Sequence, residues 1–130
     1  MKEKTSAYYL YGAAALVVVG LIAFAVTQEA APSPYDAFAQ CLSDDGVKMY
    51  GAWWCPHCEN QKDLFGNSFS AVTYIECSNA NKSMNQICKD AGIEGYPTWE
   101  FADASRLGGE QSLATLAEKS GCELPSLNNL

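Results

Sequence analysis

The chain opens on one long apolar run and then changes rhythm. From Ala7 to Val26 there is no charged side chain; wound as a helix at about 1.5 Å per residue, such a run spans roughly the 30 Å of a bilayer's hydrocarbon core. Beyond it, polar and apolar positions alternate in short segments. Ser33-Pro34 offers a capping hydroxyl followed by proline, and Phe38, Cys41 and Leu42 then recur at helical spacing until Asp44-Asp45-Gly46. Val47 to Ala52 reads as a strand that runs into Trp53-Trp54-Cys55-Pro56-His57-Cys58 and a polar helix through Leu64 and Phe65. Ala71 to Ile75, rich in β-branched and aromatic residues, predicts a strand central to a sheet. Met84, Ile87, Cys88 and Ala91 form a stripe that predicts a helix closed by Gly92. Thr98 to Ala102 and Arg106 to Gly108 make a hairpin around Asp103, and Ser112 caps a last helix through Leu113, Leu116 and Ala117 to Gly121.

The predicted order after the apolar run is α-β-α-β-α-β-β-α: a single α/β domain with a central mixed sheet flanked by helices. The expected organisation is residues 1–6 as a cytoplasmic N-terminus, 7–27 as a transmembrane anchor, 28–34 as a short proline-stiffened tether and 35–130 as the domain. Lys2 and Lys4 precede the apolar run and Glu29 is the first charge after it, so the positive-inside bias keeps the N-terminus in the cytoplasm. Tyr8, Tyr9 and Tyr11 would lie at the inner headgroup level. The expectation is therefore a single-pass plasma-membrane protein whose domain is extracytoplasmic, on the periplasmic side. A cleaved signal peptide ending near Ala23-Phe24-Ala25 is the rival; it delivers the domain to the same compartment, but the run is longer than a signal peptide's apolar core.

Charge and cysteine content narrow the chemistry. A net charge of −7 argues against a phosphate-binding surface, so nucleic acid is not an expected partner. Six cysteines in so small a domain, an even number, suit an oxidising compartment.

Cys55-Pro56-His57-Cys58 sits where a strand hands over to a helix. Thiol exchange needs a thiolate, and a free cysteine near pKa 8.5 is mostly protonated at neutral pH. At a helix N-terminus, unpaired N–H groups and the helix dipole stabilise the negative charge on Cys55, while Pro56 gives up an N–H that had no helical partner. His57, when protonated, adds a positive charge. Cys58, one turn on, faces inward as the resolving residue, with Cys55 the exposed nucleophile. Stabilising the reduced pair makes the disulfide the more oxidising form. A structural zinc knuckle is the bland alternative, but a zinc ribbon needs a second close cysteine pair, and none is present.

Trp53-Trp54-Cys55-Pro56-His57-Cys58 after one strand, and Gly95-Tyr96-Pro97-Thr98 before another, resemble the two signatures of the thioredoxin superfamily. The resemblance implies a thioredoxin-like fold, a cis bond at Tyr96-Pro97, and substrate pairing along Tyr96 beside the active cysteines. Val47 to Cys58, with Ile75-Glu76-Cys77, Ala91-Gly92-Ile93 and Tyr96-Pro97-Thr98-Trp99, is closer still to the thioredoxin-like domain attached to bacterial vitamin K epoxide reductase homologues. That likeness covers about residues 36 to 122 and implies that the cysteine pair takes electrons from substrate protein thiols and passes them to a membrane-embedded quinone reductase. With one apolar segment here, a separate partner would do the reoxidation. The buried acid that thioredoxins carry six residues before the first cysteine is Met49 in this chain, so proton transfer at Cys58 must use another group or water.

Cys77 and Cys88 are most simply a structural disulfide, with a second redox relay or buried thiols as the alternatives. By elimination Cys41 would pair with Cys122, against two free or intermolecular cysteines. Trp53, Trp54, Tyr96 and Trp99 could form an apolar substrate groove, although core packing explains Trp99 equally well. No cofactor and no metal are expected. The reading is a protein-disulfide oxidoreductase working through Cys55 and Cys58 in the oxidising direction, with Trp54, Tyr96 and Pro97 binding substrate. The rivals are a reductase or isomerase of the same compartment, a copper or zinc metallochaperone, and a non-catalytic adaptor.

Overall fold

The computed structural model describes residues 2–26 and 32–126, and the chain divides into two compact units, Met1–Ala31 and Pro32–Leu130. In the first, a single helix, α1, runs Lys2–Val26. It begins before the apolar run because lysine and glutamate are good helix formers and do not interrupt it. Its Tyr8–Ala25 stretch has a mean hydropathy of 2.0 and is long and apolar enough to cross a membrane. Residue 27 of the expected anchor and residues 28–31 of the expected tether lie outside the described residues.

The second unit contains α2 (Asp36–Asp44), β1 (Lys48–Gly51), α3 (Pro56–Phe65), a 3-10 turn (Gly66–Ala71), β2 (Thr73–Glu76), α4 (Gln86–Asp90), β3 (Thr98–Glu100), β4 (Arg106–Gly108) and α5 (Leu113–Ser120). The sheet order is β2-β1-β3-β4. β1 and β2 are parallel, with Met49 opposite Tyr74 and Gly51 opposite Glu76; β1 and β3 are antiparallel, with Met49 opposite Trp99; β3 and β4 close an antiparallel hairpin. This is the mixed α/β arrangement that the order of elements predicts and the thioredoxin-like fold that the resemblance implies.

Successive side chains on a strand point to opposite faces, and β1 shows the consequence. Met49 joins a core built from Phe38 and Leu42 of α2, Cys58 and Phe65 of α3, Trp99 of β3 and Leu116 of α5. Tyr50 faces the other way, into a smaller cluster with Cys77, Cys88 and Ile93. In the larger core the Phe38 and Phe65 rings stack at 5.9 Å, and Phe65 lies 6.1 Å from Trp99. Both polar atoms of the buried Gln61 of α3 are hydrogen-bonded: its Oε1 accepts from the Trp99 indole at 3.2 Å and from the Gln111 amide N–H at 2.6 Å, while its Nε2 donates to the Gln111 carbonyl at 3.0 Å. An amide thus fixes α3 against the sheet from the inside.

Three local expectations are corrected. Helix α2 starts at Asp36 rather than at Pro34, because the Asp36 carboxylate turns back to accept the Ser33 N–H at 2.9 Å and so makes the entry turn itself. The strand expected at 71–75 begins at Thr73 and lies at the sheet edge. The Ser43 hydroxyl donates to the Ala71 carbonyl at 2.6 Å and accepts from the Thr73 N–H at 2.8 Å, which ends the 3-10 turn and delays the ladder. Helix α4 is a single short turn that excludes Met84 and Ala91. Met84 bridges Ser78 instead, and the Asn85 side chain caps the turn by accepting from Cys88 N–H at 3.1 Å.

Candidate active site

Cys55 is the N-cap of α3, in extended geometry at φ −84° and ψ 117°, with Pro56 in the first turn. Its carbonyl already accepts from the Cys58 and Glu59 N–H groups, at 3.1 and 3.2 Å. The strand-to-helix handover therefore places Cys55 at the positive end of the α3 dipole and carries Cys58 around to the core. Cys55 and Cys58 are the free thiols, and both are buried. Cys58 faces the core, but Cys55 is not the open nucleophile expected: only 6% of it is exposed. Its sulfur lies 3.8 Å from the Tyr96 carbonyl, beside the cis Tyr96-Pro97 bond. The Tyr96 ring in turn meets Trp54 edge-on at 6.2 Å.

The two tryptophans before the pair are held from one side of the site. The Trp54 indole donates to the Ser78 hydroxyl at 2.7 Å, and the Trp53 N–H donates to Glu76 Oε1 at 3.3 Å. The Cys77–Cys88 disulfide, with a Cα–Cα distance of 5.5 Å, braces the segment that carries Ser78. A second disulfide, Cys41–Cys122, joins α2 to the residue just past the Gly121 cap of α5, with a Cα–Cα distance of 5.9 Å. Trp53 and Trp54 keep half and over a third of their surface in solvent, whereas Trp99 is fully buried. Trp99 therefore belongs to the core and not to a groove, because its pairing with Met49 turns it to the inner face of the sheet.

His57 meets the Glu110 carboxylate through Nδ1, and Asn60 donates to the same oxygen at 3.1 Å. His57, then Asn60, hold the Glu110 carboxyl below its usual range. A lowered acid binds its partner above its ordinary titration range and releases it only as pH falls through the lowered value. Glu110, Gln61, Gly51, Tyr74 and Glu76 were not visible as site residues in the sequence. They come from four separate segments, and no spacing signal links them to Cys55.

Burial pushes the Cys58 thiol up to about 12, a hydrogen bond from the Ala52 backbone and, more weakly, Lys62 oppose it, and the neighbouring Cys55 adds to it. The folded form keeps this proton where the unfolded chain has lost it, so the reduced protein is expected to lose stability as pH rises from about 9 towards 12. In a Cys55→Ser protein, thiolate absorbance from Cys58 should appear only well above pH 9. A midpoint at or below the ordinary value would show that Cys58 is not buried in solution.

Among the described residues, the grouping of three His, Cys or acidic side chains close enough to share a metal ion is Cys41, Asp45 and Cys122, away from the Cys55–Cys58 pair. Its two sulfurs are already joined in a disulfide.

The mixed sheet, the buried free cysteines Cys55 and Cys58 at a helix start and the cis-proline loop beside them give a thioredoxin-like fold that carries a dithiol site. No family model matches the chain. It is 45% identical over 102 residues to a protein of Arabidopsis thaliana named thiol-disulfide oxidoreductase LTO1; the match takes in 74% of this chain and 27% of that protein, so the chain spans about a quarter of its relative's length. Among solved structures it is similar to oxidized glutaredoxin 2 from Chlamydomonas reinhardtii, with 22% identity and a TM-score of 0.39 over 68% of this chain and 94% of that one.

Proposed function

We propose that this chain is a membrane-anchored thiol–disulfide oxidoreductase that oxidises protein thiols outside the plasma membrane. The observation that carries the reading is the buried free pair Cys55 and Cys58 at the α3 start, with the Cys55 sulfur against the Tyr96 carbonyl. The name of the Arabidopsis relative supports the same chemistry. Residues 7–27 serve as the anchor, 28–34 as the tether and 35–130 as the catalytic domain, with the N-terminus cytoplasmic.

In the oxidising direction a substrate thiolate attacks the Cys55 sulfur of the Cys55–Cys58 disulfide, and Cys58 leaves with the bonding electrons. A second substrate thiol then attacks the substrate sulfur of the mixed disulfide and releases Cys55. The substrate gains a disulfide, and Cys55 and Cys58 gain two electrons and two protons between them. Pro56 keeps the α3 start free of a competing donor, His57 with Glu110 sets the local charge, and Trp54, Tyr96 and Pro97 receive the substrate strand. A membrane-embedded quinone reductase of the vitamin K epoxide reductase type removes the electrons.

The position of Cys55 at the positive end of the α3 dipole supports this direction, since stabilising the reduced pair makes the disulfide the stronger oxidant. The purified domain is expected to equilibrate with glutathione at a potential well above the roughly −270 mV of thioredoxin. A value near that of thioredoxin would assign the protein to the reductases instead. Tight stoichiometric copper or zinc binding without thiol turnover would assign it to metal transfer.

A further inference from the structure

The buried Cys58 must shed and regain a proton in every cycle, and β1 offers it no acid, since the position six before Cys55 is Met49. The structure brings another group there. Gly51 leaves a gap beside the Cys58 sulfur: a Cβ at this position would stand 3.1 Å from Cys58 Sγ, 3.1 Å from the Tyr74 hydroxyl and 2.7 Å from Tyr74 Cε2. Sulfur and hydroxyl thus both lie 3.1 Å from one point beside the bare Gly51 Cα. The same hydroxyl donates to Glu76 Oε2 at 2.9 Å, and Glu76 is anchored through its other oxygen by the Ser78 N–H at 2.7 Å.

We propose that Tyr74 and Glu76 are the proton relay of Cys58. The inference rests on the thiol-exchange reading above and adds to it the residues that carry the proton. When a partner is held on Cys55 as a mixed disulfide, the Cys58 S–H proton passes to the Tyr74 oxygen as the Tyr74 proton passes to the Glu76 carboxylate. The Cys58 sulfur attacks Cys55, the Cys55–Cys58 bond forms, and the partner sulfur leaves with the bonding pair. In the oxidising half the same path runs backwards to the departing Cys58. Burial and the adjacent Glu76 hold the Tyr74 hydroxyl well above its ordinary range, so the ring transmits the proton and does not keep a charge. The other titratable groups acting on this cluster are Cys55, Glu59 and Lys62 from α3 and Tyr96 from the loop before β3. Lys62 lies 4.6 Å from the Tyr74 ring and is bonded to Glu59 at 3.1 Å.

The test uses the reduced full chain and an aromatic disulfide whose thiolate is coloured. Attack by Cys55 releases one coloured thiolate in a concentration-dependent phase, and resolution by Cys58 releases the second in a unimolecular phase. Tyr74→Phe is expected to leave the first phase unchanged and to slow the second about a hundredfold near neutral pH. The wild-type second phase should level off with pH while that of Tyr74→Phe keeps climbing, the two converging in strong alkali. Glu76→Gln, which keeps the oxygen that anchors Ser78, should behave alike. A second phase in Tyr74→Phe with the wild-type rate and pH profile would overturn the relay, as would slowing of both phases by the same factor at every pH, which marks lost packing. Absence of any coloured release from the wild type would overturn the thiol-exchange reading itself.

Discussion

Cys55→Ser is expected to lower the rate of disulfide exchange by at least about a thousandfold while leaving the fold intact. The two effects separate because of where the sulfur sits. It packs under Tyr96 at the start of α3 with almost no exposed surface, and an oxygen is smaller and fills the same place without a clash. A hydroxyl, however, is not a thiolate, and at its ordinary pKa it stays protonated and is a poor nucleophile. Cys58→Ala should do the opposite to the intermediate: attack at Cys55 proceeds, resolution cannot, and mixed disulfides with partner proteins accumulate. Stopped-flow exchange with a small disulfide checks the first variant, non-reducing gels the second, and thermal unfolding checks that both are folded. Wild-type function in Cys55→Ser would leave only a docking role for the domain.

The parts of this molecule that repeat a local rule were legible before any coordinates. Ser112 and Gly121 bracket α5 as the capping rules predict, the Ser112 hydroxyl accepting from Thr115 N–H and Gly121 taking a left-handed φ of 82°. The Cys-Pro-His-Cys segment lies at a strand-to-helix junction because a β-rich run stops and a proline starts a helix. What the sequence hid depends on pairing at a distance. Residues 73–76 have the composition of a strand, but composition carries no information on how many neighbours a strand has, and β2 is an edge. Trp99 reads equally well as a groove aromatic or as core until its register opposite Met49 turns it inward. Glu110 reaches His57 across 53 residues of chain, and Tyr74 reaches the vicinity of Cys58 only because Gly51 has no side chain.

Loss of the Cys41–Cys122 disulfide is expected to be the largest stability effect of any change outside the active pair. Its ends are 81 residues apart in sequence, against 11 for Cys77–Cys88. If a disulfide acts mainly by restricting the unfolded chain, these loops correspond to about 4.5 and about 2.8 kcal/mol. Domains of this size are stable by only about 5–15 kcal/mol, so the longer loop accounts for roughly 30% or more of the total. The link also closes the core mechanically: Cys122 follows the Gly121 cap, and tying it to α2 holds the end of α5 against the layer that contains Phe38 and Leu42. Cys41→Ala/Cys122→Ala should therefore unfold at markedly lower urea and yet exchange disulfides at the wild-type rate below its transition, since the link joins α2 to the end of α5 and neither carries the exchanging pair. Cys77→Ala/Cys88→Ala should show the reverse emphasis. Its entropic loss is smaller, but the segment that positions Trp54 through Ser78 is released, and exchange with protein substrates should slow more than exchange with a small disulfide. Urea unfolding of both variants, followed by paired kinetics on small and protein substrates, separates the two roles. A stability loss below about 1 kcal/mol for the Cys41 and Cys122 pair would show that the unfolded chain is already compact enough to hold those ends together.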